Sequence, residues 1–164
     1  MRLLIRLAEP ADFEAVGALT VAAYVDDGFV QAEDSYVAHL RDCERRAREA
    51  QLWVAVSESE DQVVGTVTYC PIGSPWRELG TPADGEFRVL AVSPAARGRG
   101  IGAAMVQHCL DLARASGHTR MVLSTLPEQH GAHRIYERLG FTRDPDSDWS
   151  PKPGTLLWAY RMEL

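Results

Sequence analysis

The sequence predicts an α/β protein: one domain with a mixed sheet of about six to seven strands and flanking helices. Three observations predict it. The chain has 164 residues, 46% hydrophobic and 24% charged, which suits one well-filled core and a soluble surface. Short apolar runs alternate with stretches of helical spacing in the order β-α-α-β-β-β-α-β-α-β-β. Within that order, Phe87 to Thr125 reads as strand, helix, strand, a crossover that sets two parallel strands in one sheet.

The elements follow in order. Leu3 to Leu7 alternates weakly as a first strand. Glu9-Pro10-Ala11-Asp12 starts a helix, with Asp12 as the expected N-cap and Phe13, Val16, Leu19 and Ala23 on one face. The segment from Tyr24 to Asp34 breaks that pattern, with a turn signal at Asp26-Asp27-Gly28. A second helix is expected from about Ser35 to Ala50. Tyr36, Leu40, Cys43 and Ala47 form its apolar face, and the run containing Arg45, Arg46, Arg48 and Glu49 reads as its solvated side. Leu52 to Val56 and Val63 to Tyr69 form an antiparallel hairpin, and Gly65 marks a bulge or a close backbone approach. Pro71 to Gly85 is a long Pro- and Gly-rich loop, mobile or functional, in which Trp76 is either a hydrophobic anchor or a ligand lining.

The stretch from Glu86 to Gly102, EFRVLAVSPAARGRGIG, organises the rest. A buried strand is followed by a turn with glycines at 98, 100 and 102, and then by a helix with Ile101, Met105, His108 and Leu112 on one stripe. His108 reads as a core-edge residue, and Gly117 closes the helix. Glycine lets backbone lie close against a ligand, and the first helical turn offers unpartnered N–H groups and a positive dipole end. Together with Arg97 and Arg99 they form a seat for a phosphate or pyrophosphate. A Walker A loop is excluded because no lysine follows the last glycine. Gly98-x-Gly100-x-x-Ala103 formally fits a loose dinucleotide fingerprint, but the 62 residues after Gly102 are too few for a six-stranded doubly wound sheet. A plain strand-to-helix turn with surface arginines is the remaining alternative.

Arg120 to Thr125 is the next strand. Glu128 to Leu139 is a helix with Ala132, Ile135, Tyr136 and Leu139 on one face, ended by Gly140, and Phe141 begins a further strand. Asp144 to Gly154, with Trp149, reads as a turn-rich loop. Thr155 to Leu164 is the last strand, antiparallel to the one begun at Phe141.

Arg-x-x-Gly-x-Gly after a strand ending Leu90-Ala91-Val92 resembles the acyl-CoA-binding motif of the GCN5-related N-acetyltransferase (GNAT) family. Ala132-x-x-x-Tyr136-Glu137-Arg138-Leu139-Gly140-Phe141 is similar to a second segment of that family. The resemblance is strongest from Glu86 to Phe141. It implies an acyl-CoA N-acyltransferase-like fold over residues 1–164, with acceptor-side helices at about 11–50 and an acyl-CoA-binding core at about 86–141. It further implies acetyl-CoA as co-substrate. The pyrophosphate would lie on the backbone of Gly98 to Ala103, including Arg99, Gly100 and Gly102, beside Arg97. The pantetheine arm would pair with Leu90, Ala91 and Val92, where a backbone N–H near Val92 would serve the oxyanion. Gln129 stands where many members carry Asn, and with Ala132 completes the implied cofactor contacts. By the same resemblance Glu86 is the general base, through a water, and Tyr136 the general acid toward the CoA sulfur. The residues by themselves also allow Glu86 at a solvated strand end and Tyr136 packed on an apolar helix face.

Composition narrows the function classes. A net charge of −6 argues against a nucleic-acid partner and is compatible with a cationic acceptor, a small amine or a peptide amine. Cys43, Cys70 and Cys109 are widely spaced and read as buried thiols. His130 and His133 lie three apart, read as surface or cofactor-rim residues, and lack a third ligand, so no metal is expected. No apolar run reaches membrane-span length, and the Leu-rich start is too short for a signal peptide. A cytoplasmic location with no membrane partner is therefore expected, and a homodimer is compatible with the sequence. Asp26, Asp27 and Asp34 either attract an amine or serve as turn and cap residues. A non-catalytic CoA-binding module is the other function class that keeps the glycine turn, with a nucleotide-dependent oxidoreductase third.

Overall fold

The structure, a computed structural model, describes residues 1–164 and is built on one sheet of eight strands. The strands are β1 (Leu3–Leu7), β2 (Gln51–Ser57), β3 (Gln62–Tyr69), β4 (Asp84–Val92), β5 (Arg120–Thr125), β6 (Thr142–Arg143), β7 (Trp149–Lys152) and β8 (Thr155–Glu163). Their order is β1-β2-β3-β4-β5-β8-β6, and β7 pairs with β8 off this path. Only β4 and β5 run parallel, as the crossover requires. The helices are α1 (Phe13–Val21), α2 (Tyr36–Arg41), α3 (Cys43–Glu49), α4 (Ile101–Ala115) and α5 (His130–Leu139).

Side-chain alternation along β2 divides the core. Leu52, Val54 and Val56 pack with Val16 of α1 and Cys43 of α3. Ala55, with Trp53 at its edge, belongs to the larger core of α4 and α5. Successive residues of a strand point to opposite faces, so α1 and α3 cover one face and α4 and α5 the other. Close approach of α4 depends on small residues below it. A Cβ on Gly65 would meet Ile101 Cγ2 at 2.8 Å, and one on Gly85 would meet Ala113 Cβ at 2.8 Å. Gly65 also faces Ala55 at the end of a register shift, so both readings of this glycine hold.

Three expectations are corrected. The helix expected from Ser35 to Ala50 is two helices. Asp42 leaves helical geometry (φ −80°, ψ 68°), and its carboxylate accepts the Arg45 N–H at 3.1 Å, so it caps α3. The break turns Arg46 inward. It is fully buried, donating to the Leu40 carbonyl at 2.8 Å and to Thr68 Oγ1 at 3.3 Å, instead of lying on a solvated face. Third, the segment read as a loop around Trp149 contains β7, which hairpins back on β8, and Trp149 Nε1 donates to Ser124 Oγ at 3.0 Å. Phe141 itself is a buried core residue, and the strand after it is the two-residue β6.

A candidate active site where two parallel strands part

β4 pairs with β5 only from Asp84 to Glu86, against Arg120 to Val122. Beyond Glu86 the two strands separate. The cause lies in β4, where Thr66 faces Ala91 but Thr68 faces Arg88, so Val89 and Leu90 together oppose Val67. Val89 adopts φ +55°, an uncommon conformation for a β-branched residue, and the bulge bends the strand away from β5. Ala91 and Val92 keep their bonds to β3, while their other edge finds no partner strand.

The free edge leads to the glycine turn. Gly98 and Gly100 both sit at φ +77°, where L side chains are strained, and the space a Cβ would enter is open at both. The first backbone bond of α4 runs from the Ala104 N–H to the Gly100 carbonyl at 3.1 Å, and no side chain caps the helix. The N–H groups of Ile101, Gly102 and Ala103 therefore remain available. A Cβ on Gly102 would meet Ile135 Cδ1 at 2.8 Å, which seats α4 against α5. Arg97 is not a free charge here, because it pairs with Asp27 at 2.6 Å. Arg99 is half-exposed and lies 3.9 Å from Glu60. The cradle, the unpartnered donors and the open strand edge fit a pyrophosphate followed by an extended pantetheine arm.

Tyr136 is buried on α5, its ring tilted against Phe87, Phe141 and Tyr160. Its hydroxyl feels the Tyr24 hydroxyl, and burial raises its pKa above the ordinary tyrosine value. Tyr24 lies in a π turn at Ala22–Asp26, lines the cleft, and has its hydroxyl beside the Gln129 amide; burial raises it too. Gln129 spends its side-chain oxygen within the protein, accepting from the Leu126 N–H and from Thr125 Oγ1, both at 3.0 Å. Gln129 also lines the cleft. Ala132 packs on the core beside Ile135.

Glu86 is not placed to act as a base. It is fully buried at the end of the β4–β5 pairing, and its carboxylate accepts the N–H groups of Glu78, Leu79 and Gly80 at 2.8–3.3 Å. Those bonds fix the loop between β3 and β4 and bring Glu78 to the cleft. Glu78 Oε1 is 2.9 Å from Arg88 Nε. Burial pushes the Glu78 carboxyl up to about 7, against the opposing pull of Arg88. Arg88 is itself anchored, over the Trp76 ring at 5.3 Å and donating to the Trp76 carbonyl at 3.2 Å. Trp76 is therefore an anchor: it is buried with Ala50 and Cys70, and its Nε1 donates to Glu49 at 2.9 Å.

Tyr24, Glu78, Arg88, Val89 and Gln129 face one cleft of about 840 Å³. Its outer wall comes from the segment after Tyr24 and from the β7–β8 hairpin, joined by Lys152 Nζ and Asp34 at 3.2 Å. Asp34 also accepts the Tyr36 N–H at 2.8 Å. Asp27 and Asp34 are thus pairing and capping residues, not free amine-attracting charges.

The family model described as the Acetyltransferase (GNAT) family matches residues 14–141. The chain belongs to the GNAT family of acetyltransferases. A mycothiol acetyltransferase from Beutenbergia cavernae is 31% identical over 135 residues, covering 82% of this chain and 42% of that protein. N-acetyltransferase 8B from Rattus norvegicus is 42% identical over 96 residues, covering 58% and 41%. The chain thus spans less than half the length of these relatives. Among solved structures, the PaiA N-acetyltransferase from Thermoplasma acidophilum in complex with coenzyme A superposes with a TM-score of 0.77 at 14% identity, over 100% of both chains. A putative acetyltransferase, yncA from Salmonella typhimurium, with its cofactor acetyl-CoA, gives 0.68 at 21% identity over 99% and 94%. These likenesses establish the GNAT fold.

Within this GNAT chain the histidines do not form a second centre. His133 is buried, not at a rim; it stacks on Trp158 with centroids 5.5 Å apart, its Nε2 lies 3.0 Å from the Leu126 carbonyl, and burial lowers its pKa. His108 packs on Trp53 at the core edge, as its spacing predicts. No group of three or more His, Cys, Asp or Glu residues is arranged to hold a metal. All three cysteines are free and buried. No helix is long and apolar enough to cross a membrane.

Proposed function

We propose that this chain is an N-acetyltransferase that moves the acetyl group of acetyl-CoA directly to a primary amine. The observation that carries the reading is the parting of β4 from β5 beside the glycine turn, because it joins an anion seat to an open strand edge and then to the cleft. Residues 98–103 hold the pyrophosphate, and Leu90 to Val92 pair with the pantetheine arm. Acetyl-CoA supplies an activated acetyl thioester. Backbone N–H groups near Val92 stabilise the oxyanion. Tyr136, kept protonated by its raised pKa, donates a hydrogen bond to the leaving sulfur and relays a proton to it. The acceptor, a small amine or a peptide amine, enters the 840 Å³ cleft between the Tyr24–Tyr36 segment and the β7–β8 hairpin. The whole chain acts as one acyltransferase domain, with residues 11–50 on the acceptor side and 86–141 as the cofactor core. Three reduced, buried thiols suit a cytoplasmic setting.

Thiol release from acetyl-CoA, assayed against a panel of alkyl amines, amino acids and dipeptides, tests the reading. At least one amine is expected to stimulate release. Tyr136→Phe is expected to lower kcat about 10²-fold while the Kd for acetyl-CoA stays within about twofold. Binding without release for every amine would leave a CoA-binding module and contradict the transferase.

A further inference from the structure

We propose that Glu78 is the general base of this site, taking the proton from the acceptor ammonium, and that Glu86 is the positioning residue that presents it. The inference rests on the acetyl-transfer reading and deepens it at one atom. Two requirements define the base. It must reach the acceptor cleft, and it must keep a lone pair free.

Glu128 also lines the cleft with a free carboxylate, but it is exposed and no bond holds it in place; the other carboxylates near the cleft separate on these terms. Glu86 has both oxygens occupied by three backbone N–H groups. Asp34 is shared between Lys152 and the Tyr36 N–H, and Asp27 is held by Arg97. Glu78 faces the cleft with a side chain only 14% exposed, its Oε1 against Arg88 and its Oε2 with no hydrogen-bond partner in the protein. The groups around it are Arg88 and Glu86 from β4, Tyr36 from α2, and Cys70 just past β3, with His39 at the exposed rim.

The position is built. Glu86 clamps the backbone of residues 78–80, and Arg88, fixed on Trp76, holds the other side of the carboxylate. An alkyl amine has a pKa of about 10.4 and is cationic near neutrality. A carboxyl at about 7 is a stronger base than an ordinary glutamate by two to three decades. The proton moves from R–NH3+ to Glu78 Oε2. The freed nitrogen pair attacks the thioester carbon, and the C–N bond forms. As the C–S bond breaks, the second nitrogen proton ends on the sulfur by way of Tyr136. Glu78 then gives its proton to solvent, which balances R–NH3+ plus acetyl-CoA against the amide, CoA and H+.

Two measurements test this on the full chain. Infrared difference titration with 13C-labelled glutamate should show one carboxyl protonating near pH 7, absent in Glu78→Gln and retained in His39→Gln. In thiol release with the best alkyl amine from the panel, Glu78→Gln should lose about 10²- to 10⁴-fold in kcat/KM together with the acidic limb near pH 7. Acetyl-CoA affinity by calorimetry should be unchanged, and Glu78→Asp should recover part of the rate. A rate within threefold of wild type in Glu78→Gln, or a limb that vanishes in His39→Gln instead, overturns the assignment to Glu78 and leaves acetyl transfer standing. Absence of thiol release by the wild-type chain with every amine overturns the transfer reading, and this assignment with it.

Discussion

Ionising Glu78 where it sits costs the folded state free energy. Its folded pKa of about 7 lies above the unfolded value of about 4.3, so between those values the native state binds the extra proton. Stability contributed by the neutral form is complete below about pH 4 and is lost as pH rises through 7. Relative to Glu78→Gln, the wild-type chain is expected to lose on the order of 2–3 kcal/mol between pH 5 and pH 8. Melting temperatures of both proteins at those two pH values check this, and a constant difference would contradict the raised pKa. Asp84 has the opposite sign. Burial works to raise its carboxyl, but hydrogen bonds from Arg120 and Thr81 outweigh burial and hold it low. Its contribution is present above about pH 4 and is lost as pH falls through the folded value. At this scale Tyr136 and the glycines stand out in the sequence as candidates, because their motif neighbours are local. The filling of the Glu86 carboxylate could not be read there, because the three amides come from a loop whose path no spacing reveals.

β4 is the element on which the site depends. Its paired start is fastened by Asp84, 1% exposed, to Arg120 through bonds of 2.7 and 3.1 Å. Its far half is freed by the bulge at Val89 and Leu90. Asp84→Asn is expected to cost about 3 kcal/mol in urea unfolding, because it leaves Arg120 without its carboxylate at the one place where β4 and β5 pair. Gly85→Ala should cost about 1–3 kcal/mol, since the new Cβ meets Ala113 Cβ at 2.8 Å and Met121 Sδ at 3.3 Å and lifts α4 from the sheet. A change below about 0.5 kcal/mol in either variant would show that this junction is not tight. The strand and the glycine turn were legible because an apolar run followed by glycines is a local pattern. The helix break at Asp42 was equally local, since Asp is a good N-cap, but it lay inside an uninterrupted helical spacing. Missing it hid the burial of Arg46.

Across the whole molecule, the proposed cofactor side and the proposed acceptor side differ in how they are encoded. Residues 86–141 carry the proposed anion seat and Tyr136 in one continuous stretch. The cleft proposed for the acceptor draws on the segment after Tyr24, the loop bearing Glu78, and the β7–β8 hairpin, brought together only by the sheet order and closed by the Lys152–Asp34 pair. No sequence period connects those three segments, so only the family resemblance, which implies an acceptor side at about 11–50, pointed toward this cleft, while the fold class was legible from local patterns. Every proposed role in the site requires acetyl-CoA to lie on the glycine turn and the open β4 edge. Calorimetric titration of acetyl-CoA into the full chain, with NAD and ATP as controls, tests it most directly. Gly100→Asn keeps a residue tolerant of the left-handed conformation and adds no charge, whereas Gly100→Glu places a carboxylate at the seat. Acetyl-CoA is expected to bind in preference to NAD and ATP, with binding retained to within about tenfold in Gly100→Asn and abolished in Gly100→Glu. No acetyl-CoA binding by the wild-type chain, or equal binding by Gly100→Glu, would contradict it.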